Sequence, residues 1–304
     1  MALEGLHHVT AITADAPRNV DFYARVLGLR LIKKTVNFDA PEVYHLYYGD
    51  ERATPGSVLT FFEFPAAARG RAGDGMAYRI AWRVAGEAAQ DFWCERLNDE
   101  GIGFAHDGAG VLFADHEGLE HELVIDDAPD EPLLAVVPDV PPGHALQGFA
   151  GVRAYGSRPD VSARLLGAMG FAPAADGWQL AGERRRARWA YDEPPPEPGR
   201  QGAGSIHHVA WSAADDDELT RFRTLAAAAG ARPTPIIDRR YFHSVYLREP
   251  GGVLFELATR DVGFTVDEPL ESLGHGLMLP PQHEATRALL EQRLTPITNP
   301  RGPA

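Results

Sequence analysis

The chain has 304 residues and a formal net charge of −14, with 44% hydrophobic and 24% charged residues. This composition is ordinary for a globular protein, and the length predicts two domains of similar size. The sequence has no basic block to neutralise phosphates and no run of about 20 apolar residues, so we expect neither a nucleic-acid partner nor a membrane span. It opens on a strand-like segment and not on a signal peptide, which predicts a cytoplasmic chain.

One pattern recurs four times along the chain: a strand-like run, an amphipathic helix that ends at a glycine, and further short strands. The repeats begin near residues 5, 76, 147 and 203, and the glycines that end their helices are Gly28, Gly101, Gly170 and Gly230. An apolar residue follows each glycine, as expected where a left-handed glycine ends a helix and the chain turns into a strand. The sequence therefore predicts four βαβββ modules and an α+β fold.

The order of the modules predicts a division into two halves. A stretch rich in proline and aspartate, Asp126 to Gly143, separates the second module from the third and has the composition of a linker. The predicted segments are an N-terminal domain at 1–130 (modules 5–66 and 76–126), a linker at 131–146, a C-terminal domain at 147–260 (modules 147–193 and 203–260) and an extension at 261–304.

Adjacent histidines occupy the same position in the first strands of modules one and four, His7 with His8 and His207 with His208. Side chains alternate between the two faces of a strand, so we expect one histidine of each pair to face a shared cavity. A lone histidine in a strand is more often a structural residue with a hydrogen bond than a ligand. A pair repeated in matching modules favours metal binding.

Glu256 lies in the last strand of module four, between the apolar residues Phe255 and Leu257. A carboxylate buried there without a partner would cost several kcal/mol, which favours a bound cation. Cys94 is the only cysteine, so intrachain disulfides and thiolate clusters are excluded, and imidazoles and carboxylates must hold any metal. Two imidazoles and one carboxylate form the three-ligand face that suits Fe(II) or Mn(II).

A fourth ligand is not expected from module one. The position there that matches Glu256 is Thr60, and the nearby Glu63 has the opposite strand parity, so it should point away from the cavity unless a β-bulge reverses that parity. Modules two and three do not repeat the ligand set. Arg79 and Gly151 stand at the histidine position, and Glu122 matches Glu256, so we expect an ion pair there and one metal site shared by modules one and four.

Several segments resemble the vicinal oxygen chelate superfamily, which includes glyoxalase I, bleomycin-resistance proteins and extradiol ring-cleaving dioxygenases. They are Gly5 to Thr10, Gly204 to Ala210, Asp238 to Glu256, Gly263 to Pro269 and Leu279 to Pro281. Ligands drawn from modules one and four resemble those of the hydroquinone branch, the hydroquinone and chlorohydroquinone 1,2-dioxygenases and their methylhydroquinone relatives. The likeness implies two glyoxalase-like domains with cup-shaped mixed sheets, and extradiol-type cleavage of a hydroquinone by O₂ in the degradation of aromatic compounds.

The resemblance also selects particular residues. It implies that His8, His208 and Glu256 are the metal ligands, with Fe(II) or Mn(II) as the metal. The surrounding positions that it implies are His7, Thr10, His207, Arg239 and Tyr246. Tyr246 together with His207 or His243 would transfer protons, and Arg239 would stabilise negative charge on oxygen.

Other interpretations stay open from the sequence. A glyoxalase-like isomerase or lyase would use Ni(II), Zn(II) or Co(II), would not consume O₂ and would need a fourth ligand such as Glu63. A resistance-type protein that only binds an aromatic ligand would need no metal ligands. Arg239 would serve as well in a surface ion pair with Asp238, and Tyr246 as a packed core aromatic. The sequence also leaves open the ring substituents of the substrate and the oligomeric state, for which a homo-oligomer is one possibility.

Six further histidines have no counterpart in another module, so we expect them to be structural or solvated. They are His106, His116, His121, His144, His275 and His283.

Overall fold

The computed structural model describes residues 3–38, 40–108 and 110–302. The strands are β1 Leu6–Thr13, β2 Arg30–Val36, β3 Tyr44–Gly49, β4 Val58–Glu63, β5 Met76–Val84, β6 Phe104–Asp107, β7 Gly110–Ala114, β8 Glu120–Ile125, β9 Phe149–Tyr155, β10 Phe171–Ala174, β11 Gly177–Ala181, β12 Arg186–Asp192, β13 Ile206–Ala213, β14 Ile237–Asp238, β15 His243–Arg248 and β16 Leu254–Thr259. The helices are α1 Ala16–Val20, continued by a π-helical segment Asp21–Val26, then α2 Glu87–Asp99, α3 Ala163–Ala168, α4 Asp216–Ala228 and α5 Arg287–Arg293. Short 3₁₀ segments are Pro159–Ser162, Phe264–Val266, Leu270–Ser272 and Pro281–Thr286.

The strands form two mixed sheets of eight strands each. The first sheet has the order β14-β15-β16-β13-β1-β4-β3-β2, and the second has the order β10-β11-β12-β9-β5-β8-β7-β6. Each module contributes its first strand to the middle of a sheet, where it runs parallel to the last strand of its own module and antiparallel to the first strand of another. The predicted fold class, α+β with four modules paired into two units, is confirmed.

The pairing of modules differs from the division drawn by chain order. Modules one and four build the first sheet, and modules two and three build the second, so the sheets do not coincide with the predicted halves 1–130 and 147–260. Consecutive elements of a chain are often neighbours in space, which favours the pairing of module one with module two. Here modules two and three, consecutive across the linker, pair through β5 and β9, and β1 is then paired with β13. The chain ends at 1–2 and 303–304 lie outside the described residues.

A β-bulge interrupts the first strand of each module. His7 is an extra residue of β1 where it pairs with β13, and His207 is an extra residue of β13 where it pairs with β1. The same irregularity occurs in the second sheet at Tyr78 and Ala150. A bulge suspends the alternation of side chains, which corrects the expectation that the two histidines of a pair face opposite sides.

The C-terminal extension packs beside β2. The ammonium group of Lys33, which is fully buried, lies 2.8 Å from the carboxylate of Asp267 and 2.9 Å from that of Glu268. Gly274 has a φ of +78°, and a β-carbon there would meet the carbonyl oxygen of Leu31 at 1.9 Å. The close approach therefore requires glycine, and the extension is fastened to the edge of the first sheet.

A buried hydrogen-bond chain ties module one to module two. Trp82 donates through Nε1 to Nδ1 of His121 at 3.1 Å, and Nε2 of His121 lies 3.0 Å from the hydroxyl of Tyr23, which donates to Asp115 at 2.9 Å. Burial lowers the pKa of His121 to about 4, although Asp115 acts in the opposite direction. His121 is therefore a neutral structural residue.

None of the described helices combines the length and the apolar character that crossing a membrane would require.

Candidate metal centre

Three neighbouring strands in the middle of the first sheet bring the predicted ligands together. His8 lies on β1, His208 on β13 and Glu256 on β16, and each is at most 4% exposed. The Nε2 atoms of the two histidines are 3.2 Å apart. Oε2 of Glu256 lies 2.8 Å from Nε2 of His208 and 3.2 Å from Nε2 of His8.

The spacing of these three atoms fits a single divalent metal. Two ligand atoms that are each about 2.1 Å from a metal and 90° apart lie about 3.0 Å from each other, whereas tetrahedral ligands lie about 3.4 Å apart. The observed 2.8 to 3.2 Å matches one face of an octahedron. Despite these short distances, Oε2 of Glu256 has no partner in hydrogen-bond geometry among the described residues. A buried oxygen of this kind is stabilised by a cation.

The charge of Glu256 supports the same conclusion. Burial raises the pKa of this carboxyl group, but the neighbouring His8 and His208 outweigh burial and hold the pKa well below its usual range. The other carboxylate oxygen, Oε1, accepts a hydrogen bond from the hydroxyl of Ser244. Glu256 is therefore an anion with one oxygen held by the protein and the other directed at the two imidazoles.

His7 determines which nitrogen of His8 is free to bind a metal. Nε2 of His7 is 3.0 Å from the carbonyl oxygen of Thr259, and its Nδ1 is 2.9 Å from Nδ1 of His8. A carbonyl can only accept, so Nε2 of His7 carries the proton. Burial, followed by the charge of His8, lowers the pKa of His7 to about 3, and the neutral ring must then accept at Nδ1. Nδ1 of His8 is consequently the donor, which leaves a lone pair on its Nε2.

His207 stands in the same relation to His208. Their Nδ1 atoms are 2.8 Å apart, and burial followed by the charge of His208 lowers the pKa of His207 to about 4. If His208 directs a lone pair at the site through Nε2, its Nδ1 donates to His207. The two bulges thus place an orienting histidine beside each candidate ligand, an arrangement that strict alternation would not allow.

A cavity of about 270 Å³ opens in front of the three candidate ligands. Its apolar wall consists of Phe38, Phe62, Phe64, Phe242 and Leu254. Its other lining residues are Thr10, Asn37, His45, Tyr47, His207, Arg239 and Tyr246. The volume lies just below the range of about 300 to 1,000 Å³ for small-molecule sites, which suits a ligand with one ring.

The cavity contains most of the predicted surrounding residues. Thr10, His207, Arg239 and Tyr246 line it, whereas His7 lies behind His8. The guanidinium group of Arg239 lies 5.4 Å from the centre of the Tyr246 ring. Tyr246 pairs with Glu256 across β15 and β16, and burial followed by the charge of Glu256 raises the pKa of its hydroxyl.

The structure does not bring His243 to the cavity, which corrects its predicted part in proton transfer. Its Nδ1 is 2.7 Å from the carboxylate of Asp216, at the start of α4, and this hydrogen bond raises the pKa of His243. Alternation along β15 explains the difference, because Ser244 and Tyr246 face the site and His243 faces the other side.

Module one contains counterparts of these residues that sequence reasoning missed. Thr60 pairs with Tyr47 across β4 and β3, as Glu256 pairs with Tyr246 across β16 and β15. His45 then corresponds to Ser244. The signal was present in the period-two spacing of His45 and Tyr47, which an alignment of the third strands of the modules would have revealed.

Two expectations about carboxylates other than Glu256 are confirmed. Glu63 points away from the cavity, and its Oε1 accepts the backbone N–H of Ala16 at 3.2 Å. In the second sheet Arg79 lies 3.7 Å from Glu122, with Glu120 closer at 3.0 Å. Within the ranges that the structure describes, His8, His208 and Glu256 are the only cluster of three or more such side chains close enough to hold a metal.

Fold and site together define a glyoxalase-like protein whose first sheet carries a candidate metal centre. The model of the Glyoxalase/Bleomycin resistance protein/Dioxygenase superfamily matches residues 5–123 and 167–257. The chain belongs to this superfamily, as the resemblance implied.

Individual relatives narrow the class of enzyme within this superfamily. The chain is 38% identical to the Bacillus subtilis protein named "Putative ring-cleaving dioxygenase MhqA", over 98% of this chain and 100% of that one. It is 33% identical to the chlorohydroquinone/hydroquinone 1,2-dioxygenase of Sphingobium indicum, over 94% of each chain. A crystal structure of a "putative dioxygenase" from Bacillus subtilis has a TM-score of 0.90 at 38% identity and covers 98% of both chains. The predicted enzyme class, a ring-cleaving dioxygenase, and the likeness to the hydroquinone branch are confirmed.

Proposed function

We propose that this chain is an Fe(II)-dependent dioxygenase, with Mn(II) as the alternative metal, that opens the ring of a hydroquinone with O₂. One observation carries the proposal: Nε2 of His8, Nε2 of His208 and Oε2 of Glu256 converge within 3.2 Å of one another in a buried cup. The name of one relative, the Sphingobium indicum dioxygenase, supplies the substrate class, hydroquinone and chlorohydroquinone.

These three residues would hold the metal on one side and leave its other side to the cavity. When bound, the metal would supply Lewis acidity and hold the aromatic substrate and O₂ next to each other, which replaces a chance encounter by a reaction between bound partners. The ligand set of two imidazoles and one carboxylate is the one typical of non-haem Fe(II) oxygenases.

The cavity residues have separable roles in this proposal. Arg239 would stabilise negative charge on an oxygen of the substrate, because a guanidinium group keeps its charge at any working pH. Tyr246 keeps its proton, since burial raises its pKa, and would donate a hydrogen bond to the same oxygen. His207 lines the cavity, and its lowered pKa keeps the ring neutral. The phenylalanine wall would stack against the ring and exclude water.

Two other functions use the same fold but fit the site less well. A glyoxalase-like isomerase or lyase with a fourth ligand would need a carboxylate from module one, where Thr60 occupies the matching position and Glu63 points away. A protein that only sequesters an aromatic ligand would have no need of a buried carboxylate that converges with two imidazole nitrogens.

The proposal is tested by O₂ uptake. Protein loaded anaerobically with Fe(II) would be mixed with hydroquinone, methylhydroquinone, chlorohydroquinone or catechol, with Mn(II)-loaded protein in parallel. We expect uptake with the hydroquinones and little with catechol. Glu122→Ala, at the corresponding position of the second sheet, is the matched control and should keep activity. Binding of one metal with no uptake for any ring would refute the dioxygenase and favour the isomerase or lyase.

A further inference from the structure

A chain of hydrogen bonds crosses the wall of the cavity in module one and has no part in holding the candidate ligands. The hydroxyl of Tyr47 is 2.9 Å from Nδ1 of His45, and Nε2 of His45 is 2.9 Å from the hydroxyl of Thr60. That hydroxyl is 2.9 Å from the hydroxyl of Thr10. Thr10 and Thr60 are fully buried, and Tyr47 is 2% exposed. We call these four residues the Tyr47–Thr10 relay.

The two ends of the relay reach the same cavity. Tyr47 and Thr10 both line it, as does His45 between them. Two members of the relay have counterparts at the candidate metal site in module four: Thr60 corresponds to Glu256, and Tyr47 corresponds to Tyr246. The relay therefore stands where a symmetric site would place a second carboxylate, and it supplies hydroxyl groups in place of a charge.

The chemistry of imidazole gives the relay a direction. Burial, followed by the charges of His8 and His208, lowers the pKa of His45 well below its usual value. A neutral ring has one donor and one acceptor, so His45 donates to one neighbouring hydroxyl and accepts from the other. In one state every hydrogen bond points from Thr10 towards Tyr47. In the other state every bond points from Tyr47 towards Thr10.

The direction decides what each end offers to a bound molecule. When the bonds point towards Tyr47, the hydroxyl of Thr10 is committed to Thr60 and its oxygen can accept a proton from the cavity. When they point towards Thr10, the hydroxyl proton of Thr10 is free to be donated into the cavity. His45 thus couples two groups that it holds on opposite sides of its ring.

We infer that the Tyr47–Thr10 relay takes up the hydroxyl proton of the aromatic substrate, with His45 and Thr60 as positioning residues; the inference rests on the proposed function. The substrate O–H bond breaks and a new O–H bond forms at Thr10. The proton of Thr10 passes to Thr60, that of Thr60 to Nε2 of His45, and that of Nδ1 to Tyr47, whose own proton leaves to a water molecule in the cavity.

The transfer is balanced and leaves each relay member neutral. One proton moves from the substrate oxygen to water, and no electron is transferred. Every hydrogen bond of the relay is reversed, so Thr10 now donates to the oxygen that has become anionic. The same hydroxyl accepts from the neutral substrate and donates to the ionised one, and no buried group of the relay is left without a partner at either stage.

The test compares variants that cut the relay with one that restores it. Thr60→Val removes the hydroxyl but keeps the shape of the side chain, Thr60→Ser keeps the hydroxyl, and His45→Phe keeps a ring. In Fe(II)-loaded protein we expect Thr60→Val and His45→Phe each to lower kcat about 100-fold, with metal content and anaerobic hydroquinone binding close to wild type. Thr60→Ser should recover most of kcat. The double variant should be no slower than either single variant, because both cut the same chain.

Two outcomes would overturn the inference. One is a wild-type kcat in Thr60→Val, and the other is a double variant in which the two losses multiply. If the wild-type protein consumes no O₂ with any hydroquinone, the proposed function fails, and nitrogen NMR of labelled histidine still tests the relay. The relay requires a neutral His45 whose ring-nitrogen shifts change in Thr60→Val, and a His45 that titrates near pH 6.5 would refute it.

Discussion

Replacing His7 by two different amides separates the two hydrogen bonds that orient His8. The amide oxygen of His7→Asn lies near the position of Nδ1 and keeps an acceptor for Nδ1 of His8, but it cannot reach the carbonyl of Thr259. The amide nitrogen of His7→Gln lies near the position of Nε2 and keeps the bond to Thr259, but it removes the acceptor for His8. Each variant therefore loses one of two bonds, at 2.9 and 3.0 Å in the native protein.

The expected losses follow from burial. His7 is 2% exposed, so each variant leaves one buried group without a partner, and the free energy of unfolding should fall by about 1 to 3 kcal/mol in both. Only His7→Gln frees the ring of His8. Loss of an orienting partner weakens metal binding about 10- to 100-fold, which corresponds to about 1.4 to 2.7 kcal/mol. His7→Asn should bind metal nearly as well as the native protein.

Mn(II) titration followed by the electron paramagnetic resonance signal of the free ion would measure affinity without any need for turnover, and urea unfolding would measure stability. The two variants should be equally destabilised but unequal in affinity. If His7→Asn lost as much Mn(II) affinity as His7→Gln, the hydrogen bond between the two imidazoles would not orient His8 for metal binding. The conclusion that His7 fixes the proton of His8 on Nδ1 would then be refuted.

Glu256→Ala should abolish stoichiometric metal binding, because a three-ligand site has no spare ligand, whereas Glu122→Ala should leave the metal content unchanged. Metal analysis of the purified variants measures both. Loss of metal in Glu122→Ala would place the site in the second sheet. Lys33→Ala should lower the free energy of unfolding by about 3 to 5 kcal/mol, since it leaves the buried carboxylate of Glu268 without its cation, whereas Asp267 keeps its ion pair with Arg240. An unchanged urea midpoint would contradict that role. Stability should also depend on His121, whose pKa is about 4 in the folded state against 6.5 in the unfolded one. Below pH 6.5 the unfolded chain binds a proton that the folded chain does not, so stability should fall by about 3 kcal/mol between pH 6.5 and pH 4. His121→Gln should flatten this slope in urea titrations, and an equal slope in the variant would show that other groups cause it.

The repeat could be predicted from the sequence, and the candidate ligands could be proposed from it, because both depend on local patterns. In each module a glycine ends the helix and an apolar residue follows it. A glycine in the left-handed conformation ends a helix in the same way in every module, so the pattern can be recognised locally. Glu256 stands out because a charge in an apolar strand needs a partner. The repeated histidine pairs show which two modules share the site, although the final choice of His8 and His208 depended on resemblance.

The tertiary structure decided how the modules pair and which way the side chains point. The pairing of β1 with β13 joins residues about 200 positions apart. A local sequence pattern does not predict which two distant strands will pair. The bulges at His7 and His207 exist only in the register between these two strands, so alternation applied to one strand did not predict that His207 lines the cavity together with His208. The assignment of His243 failed for a related reason, because one step along β15 moves a side chain to the opposite face. Residue types along the chain thus determined what the site is made of, and long-range strand register determined which of those residues meet in the cavity.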